Sequence, residues 1–422
     1  MKSDFPTCRF CGGVHLRSFV DLGIMPLANS YVRPEARDQP EARYPLHARV
    51  CEACLLVQVE EAVLPEAIFS DYAYFSSISA GWVAQAKRFA EAQIRTLGLG
   101  PASRVVEIAS NDGYLLQHFV AQGVPVLGVE PAANIARVAN EKGIATDVSF
   151  FGRDTARRLV AAGHQADLVV ANNVLAHVPD LDDFVGGLAL VLKPGGRLSL
   201  EFPHLLNLMA GRQFDTIYHE HLCYFSAGFI VRLLAAHDLS IAEVECLATH
   251  GGSLRITACH KGWAPAQTPA SLADILAAEH AAGLDRIEGY GGFAARVAET
   301  CTALRQWLAE ARAMGRTVAA YGAAAKGNTL LNACGMTSTD IICVADMSPH
   351  KQGLLLPGSH IPIVSPEALI ASAPDDVLIL PWNLSAEIAG ILAPLRKAGT
   401  RLVIPVPMPH ALGPQRIGEG GA

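Results

Sequence analysis

Short apolar runs of strand length recur in two separate blocks along this chain, and that pattern constrains its fold more than any other feature. In the first block the runs lie at 104–109, 124–129, 166–171 and 197–202, with helix-length segments between them. Their alternation predicts a doubly wound parallel sheet. A second block follows at 317–321, 340–344, 376–380 and 402–406. Two α/β units are therefore expected, without a residue-level repeat strong enough to mark a duplication. Before the first block, 80–97 reads as a helix closed by Gly98 and Gly100; between the blocks, 271–314 reads as mostly helical with a break at 289–292. A chain of 422 residues exceeds one ordinary domain of about 100–200 residues, which agrees with this division.

Composition narrows the function. Apolar residues make up 51% and charged residues 17%, the net charge is −7, and no Lys/Arg block occurs, so the electrostatic footprint of a nucleic-acid binder is missing. Small-molecule chemistry is the expectation. Residues 1–6 carry no apolar signal core, and no run of about 18 apolar residues occurs, so a cytoplasmic protein off the membrane is expected. A monomer is feasible at this size.

In a reducing compartment ten cysteines are not expected to form disulfides. Four of them form two C-x2-C pairs, Cys8 with Cys11 and Cys51 with Cys54, among Gly, Pro and short apolar stretches. Each pair can present two thiolates from a knuckle turn to one tetrahedral zinc, and a small module with little core needs such a staple. Four sulfurs close the coordination shell, so this zinc is expected to hold structure and not to catalyse. Cys223, Cys246, Cys259, Cys301, Cys334 and Cys343 show no ligand spacing.

The first strand of the first block carries Glu107 and Ala109 and runs into Ser110-Asn111-Asp112-Gly113 and a helix expected from about Tyr114. Ligands of such sheets bind at this edge, where Gly113 allows close backbone approach and helix amides can receive an anion. Glu130, after the second strand, suits the two hydroxyls of a ribose. Ala109 and Asn111 stand where a dinucleotide fold needs glycine, which disfavours NAD. Asn172, Asn173 and His177 follow the third strand, and Lys193-Pro194-Gly195-Gly196 is expected to turn into the fourth.

The densest ionisable cluster is Tyr218-His219-Glu220-His221. It supplies a general base and hydrogen-bond donors for an enolate if it lines the cofactor cleft; a His-x-His metal site and a solvated or core-satisfied polar loop are the competing readings. Thr249-His250-Gly251-Gly252-Ser253 offers close approach and polar groups suited to sugar hydroxyls or phosphate. In the second block, Tyr321-Gly322-Ala323-Ala324-Ala325-Lys326 forms a strand-to-helix loop that suits a diphosphate or is only a tight turn.

The Glu107–Tyr114 loop, Gly128-Val129-Glu130, Asn172–His177 and Lys193–Gly196 together resemble a class I S-adenosylmethionine (SAM) methyltransferase. With the cysteine pairs, Tyr218–His221, His250–Ser253 and Tyr321–Gly327, the resemblance runs nearly end to end to the zinc-containing sugar C-methyltransferases of deoxysugar biosynthesis. It implies a zinc module at 1–66, a Rossmann-like methyltransferase domain at 67–262 with a connector or lid at 67–100, a C-terminal nucleotide-sugar-binding α/β domain at 263–410 and a tail at 411–422. It implies a nucleoside-diphosphate 4-keto-6-deoxy sugar as substrate, commonly methylated at C-3. Cofactor contacts then fall to Glu107, Ala109, Asn111, Gly113, Glu130, Asn172 and Asn173. Substrate contacts fall to Tyr72, Tyr74, His219, His250, Gly252, Ser253, Tyr321 and Lys326, with Tyr72 and Tyr74 as a lid or as packing for the zinc module. His221 is the first candidate base and His177 the second, with Tyr218 and Glu220 positioning the base or the enolate oxygen. A sugar O- or N-methyltransferase is the nearest alternative, and a zinc-ribbon nucleic-acid methylase a remoter one.

Overall fold

Residues 7–63 and 75–413 are described in the computed structural model of the chain, and they fall into two compact units. The first comprises Met1–Ser18, Arg49–Asn207 and Glu220–Tyr290; the second comprises Phe19–Ala48, Leu208–His219 and Gly291–Ala422. Strands β1 (Leu16–Pro26) and β2 (Arg43–Cys51) each span a point of division, and β3 (Val57–Gln58) pairs antiparallel with the end of β2.

In the first unit β4 (Val105–Ile108), β5 (Val126–Val129), β6 (Thr146–Asp147), β7 (Ala166–Asn172) and β8 (Leu192–Pro203) are followed by β9 (Cys223–Tyr224), β10 (Leu239–Leu247) and β11 (Ser253–His260). All but β9 build one seven-stranded sheet in the order β6-β5-β4-β7-β8-β11-β10, in which β11 runs antiparallel to both neighbours. β4 is buried along its whole length, as a central parallel strand covered on both faces must be. The chain steps outward from β4 to β5 and β6 and then returns to β7, so a switch point lies between β4 and β7, where ligands bind at the carboxyl ends.

Helix Ala80–Leu97 forms as the sequence predicts. The Ser79 side chain accepts from Trp82 N at 3.3 Å, and left-handed Gly98 at φ 62° ends the helix. Its Ala86, Phe89 and Ala90 bury against Val105, Leu116, Phe119 and Leu168. Two local expectations need correction. The helix after the Asn111–Gly113 loop spans only Leu116–Val120, too short to present an anion-binding terminus. Residues 193–196 are a bulge inside β8 and not a free turn: Ala166 pairs with Leu192 but Leu168 with Arg197, and Gly195 absorbs the excursion at φ 79°.

Helix Ala270–Ala281 also belongs to the first unit, although the sequence reading places residues from 263 onward in the C-terminal domain. A buried carboxylate explains the attachment. Glu279 accepts from the amides of Ala227 and Gly228 at 2.6 and 2.9 Å, capping helix Ala227–Ala235, and lies 2.7 Å from His204 Nε2.

The second unit contains β12 (Val318–Tyr321), β13 (Val344–Ala345), β14 (Ile363–Val364), β15 (Asp376–Ile379), β16 (Arg401–Ile404) and β17 (His410–Ala411). They form a sheet in the order β14-β13-β12-β15-β16-β17, parallel except at β17. β14 and β17 were not read from the sequence, because strands of two residues carry no periodicity. The break at 289–292 separates a short 3-10 turn from helix Phe293–Ala313. Among the described residues no helix is long and apolar enough to cross a membrane.

Candidate active site and zinc centre

The loop between β4 and helix Leu116–Val120 holds an unusual backbone. Ala109, Asn111 and Gly113 have φ of 56°, 50° and 77°, and Asn173, just past β7, has φ 56°. Non-glycine residues rarely adopt this region, and such strain gathers at functional sites. A side chain at Gly113 would run into that of Ile144, so close packing as well as positive φ requires glycine there.

Three carboxylates converge on this edge. Glu130 accepts from Asn111 N at 3.0 Å and from Ala132 N at 2.9 Å, while burial holds its carboxyl above the usual range. Burial, and then the nearby Glu130 and Asp112, push Glu107 well above the usual range. Lys142 offsets Asp112 from 3.2 Å, Ser77 donates its hydroxyl to the same carboxylate, and Asn111 Oδ1 accepts from Ser76 N at 2.9 Å. Glu107 Oε2, Asp112 Oδ1 and Asn172 Oδ1 are buried acceptors without a donor among the described residues. Such atoms call for donors from a ligand. An acidic, acceptor-rich edge repels a dinucleotide diphosphate and suits a cation bearing ribose hydroxyls, which is the chemistry of SAM.

Beside it, Asn173 donates from its backbone to Glu201 O at 2.7 Å. The buried Glu201 carboxylate accepts from Arg255 Nη2 at 2.7 Å and from Thr249 Oγ1 at 3.1 Å. A cleft opens above this pair, lined by Trp82, Phe89, Tyr114, Asn172, Glu201 and Arg255. The Thr249–Ser253 loop carries three successive left-handed residues, His250, Gly251 and Gly252 at φ 54°, 88° and 113°. A side chain at Gly252 would strike Asn207. Ser253 Oγ donates to Thr249 O at 3.1 Å, within the loop itself, and the His250 ring meets Trp82 edge to face at 5.4 Å.

His177 and His221 come together with ring centroids 4.8 Å apart and planes at 74°. Tyr224 lies 6.5 Å beyond His221. Burial drives the His177 imidazole down to about 4, against a hydrogen bond to the Glu220 backbone that raises it, so this ring is neutral at pH 7. The run 218–221 crosses the division between units after His219. Glu220 and His221 belong to the first unit. Tyr218 and His219 belong to the second, where the buried His219 ring lies 3.3 Å from Tyr44 O and burial lowers its pKa. Also in the second unit, Lys326 at the start of helix Ala325–Ala333 donates to Asn383 Oδ1 at 3.0 Å and sits 4.5 Å over the Trp382 ring. Tyr321 is buried at the end of β12, and burial pushes its hydroxyl up to about 12. Tyr72 and Tyr74 lie outside the described residues.

The cysteine quartet assembles as its spacing predicts: the four sulfurs lie within 4.8 Å of one another. Cys8 and Cys54 are 3.4 Å apart, and Cys11 and Cys51 3.5 Å apart. A tetrahedral zinc with sulfur at about 2.3 Å puts its ligands roughly 3.8 Å apart, so the quartet fits that ion. Both knuckles share one design. Gly12 N donates to Cys8 O and Leu55 N to Cys51 O, and both donors are left-handed, at φ 69° and 60°. A side chain at Gly13 would crowd Cys11 Sγ at 3.3 Å.

Three family models match the chain: a zinc binding domain over residues 8–69, a methyltransferase domain over 82–244 and a C-methyltransferase C-terminal domain over 248–407. The C-methyltransferase NovU of Streptomyces niveus is 33% identical over 405 residues, covering 96% of each chain. The chain belongs to the zinc-containing C-methyltransferase family. A ubiquinone biosynthesis O-methyltransferase of Methylobacterium is 35% identical over 96 residues, 22% of this chain and 37% of that protein. Magnesium protoporphyrin IX methyltransferase of Synechocystis, solved with S-adenosylhomocysteine (SAH), aligns over 43% of this chain and 83% of its own with 18% identity and a TM-score of 0.34.

In this C-methyltransferase the sequence reading missed the Glu201–Arg255 pair, Thr249 as its partner, and Trp82. Glu201 ends an apolar strand and Arg255 begins another, so each reads alone as a boundary residue; only the register, Arg255 opposite Glu201 across β11 and β8, pairs them.

Proposed function

We propose that this C-methyltransferase transfers a methyl group from SAM to C-3 of a nucleoside-diphosphate 4-keto-6-deoxy sugar, in the cytoplasm, as a step of deoxysugar biosynthesis. The observation that carries the reading is the His177–His221 pair, with His177 held neutral by burial. Likeness to NovU over the whole chain supports the reaction class. The bound cofactor supplies an electrophilic methyl group. His221 removes the C-3 proton, acidified by the neighbouring ketone, and the electron pair passes into an enolate; that carbon then bonds to the methyl as the carbon–sulfur bond breaks. His177, too weakly basic to compete, accepts or donates a hydrogen bond beside it. Neutral imidazole is a modest base for a carbon acid, so a hydrogen bond to the enolate oxygen, assigned to the Tyr218 hydroxyl, carries much of the barrier, while Glu220 positions the base. Glu107, Ala109, Asn111, Gly113, Glu130, Asn172 and Asn173 bind the cofactor; His219, His250, Gly252, Ser253, Tyr321, Lys326, Tyr72 and Tyr74 bind the nucleotide sugar.

The test is mass spectrometry of the protein with SAM and a panel of such sugars in deuterated water. One added methyl with the C-3 hydrogen gone from the product, and deuterium at C-3 of the recovered unreacted sugar, both lost in His221→Asn while SAH still binds, is the expected result. Methylation with the C-3 hydrogen retained in the product points to a hydroxyl or amine acceptor and overturns the enolate route.

A further inference from the structure

Arg9 stands between two zinc ligands, in the first knuckle, yet its side chain reaches away from them. Its backbone N donates to Gln58 Oε1 at 3.0 Å, Nη2 donates to Val59 O at 2.8 Å, and Nη1 donates to Pro179 O at 3.2 Å. The two carbonyls belong to segments that are remote in sequence, one following β3 and the other following His177. Val59 N in turn donates to Leu222 O at 3.0 Å, and Leu222 N donates to Ala176 O at 2.7 Å. The contacts close a circuit. From Arg9 it passes through Val59 to Leu222, next to His221, then to Ala176, next to His177, and along the chain through Pro179 back to Arg9. Pairing of β3 with β9, Val57 opposite Tyr224 and Gln58 opposite Cys223, extends the same ladder past His221.

We propose that Arg9 is a positioning residue, which fixes the separation and orientation of the His177 and His221 rings by clamping the two segments that carry them onto the zinc knuckle. A planar guanidinium can hold two carbonyls at once in a fixed fork; an ammonium on a flexible stem does not reproduce that geometry. Pure stability is a poor reason for the arrangement. The Arg9 side chain is 12% exposed, and among the described residues its carboxylate partner, Glu61, is 3.9 Å away, so the charge is desolvated with little Coulombic return. The knuckle hydrogen bonds Cys8 N to Gly13 O at 2.8 Å and Gly12 N to Cys8 O at 2.9 Å set where the Arg9 backbone starts, which makes the zinc quartet the anchor of the clamp. The functional consequence rests on the proposed role of His221; the geometric claim does not.

The test compares full-length Arg9→Met and Arg9→Lys with the unmodified protein by four measurements: zinc content, SAH affinity by calorimetry, ring resonances of the two histidines by NMR across pH, and methyl-transfer rate. Arg9→Met is expected to retain one zinc and bind SAH within about threefold of normal, to move the His177 and His221 ring resonances, and to lower kcat at least about tenfold without raising KM for SAM. Arg9→Lys falls between. Native histidine resonances in a folded Arg9→Met protein overturn the proposal whatever the activity. So does loss of zinc and tertiary structure in both variants, which makes Arg9 a structural residue of the knuckle. Full turnover by His221→Asn counts against the proposed base alone, because the resonances still report the clamp.

Discussion

Replacing His177 by Gln changes how the fold responds to acid, by an amount that follows from its environment. Burial lowers the imidazole from 6.5 to about 4 in the folded chain. A depressed base favours folding while it is neutral, so the full contribution is present above pH 6.5 and is lost as pH falls toward 4. Between pH 7 and pH 5 the linkage amounts to about 2 kcal/mol. His177 as a residue is partly exposed, which trims the cost to roughly 1–2 kcal/mol. Urea unfolding of both proteins at pH 7 and pH 5 isolates this contribution, since every other titrating group is common to the two. The unmodified protein should lose stability on acidification by roughly 1–2 kcal/mol more than His177→Gln. Equal losses in the two proteins refute the claim that burial holds His177 neutral, and with it the ground for setting His177 aside as the base.

Glu130→Ala leaves the Asn111 and Ala132 amides without their acceptor and should weaken SAH binding by about tenfold or more, roughly 1.4 kcal/mol, in calorimetry; unchanged affinity would remove Glu130 from the cofactor site. Glu279→Gln weakens two charge-assisted bonds to the Ala227 and Gly228 amides and the contact with His204, and should cost about 2 kcal/mol in urea unfolding at pH 7. A cost below about 0.5 kcal/mol would mean that helix Ala270–Ala281 is held by apolar packing alone.

Much of this architecture is legible before any coordinate is known, because local chemistry dictates it. Apolar runs such as Val105–Ile108 and Asp376–Ile379 announce buried parallel strands, and Ser79 and Gly98 mark both ends of a helix. The spacing of Cys8, Cys11, Cys51 and Cys54 suffices to identify a metal quartet, since each pair sits in its own turn. Glu130 at the end of the second strand is equally readable as an acid at the sheet edge, and its contact with the cofactor is part of the proposal.

What the chain order hides is which distant segments meet. Tyr218, His219, Glu220 and His221 look like one cluster, yet the first two belong to the second unit and the last two to the first. His221 is paired with His177, 44 positions earlier (221 − 177), by hydrogen bonds through Leu222 that no periodicity encodes. Sequence determined the strands, the caps, the thiolate quartet and the acidic edge at the ends of the first two sheet strands, since each depends on neighbours a few residues away. Tertiary structure alone decided the Glu201–Arg255 pair, the Glu279 cap and the Arg9 clamp. Each joins groups whose charge becomes useful only when another segment removes it from water, and that partner is set by sheet register and topology, not by local spacing.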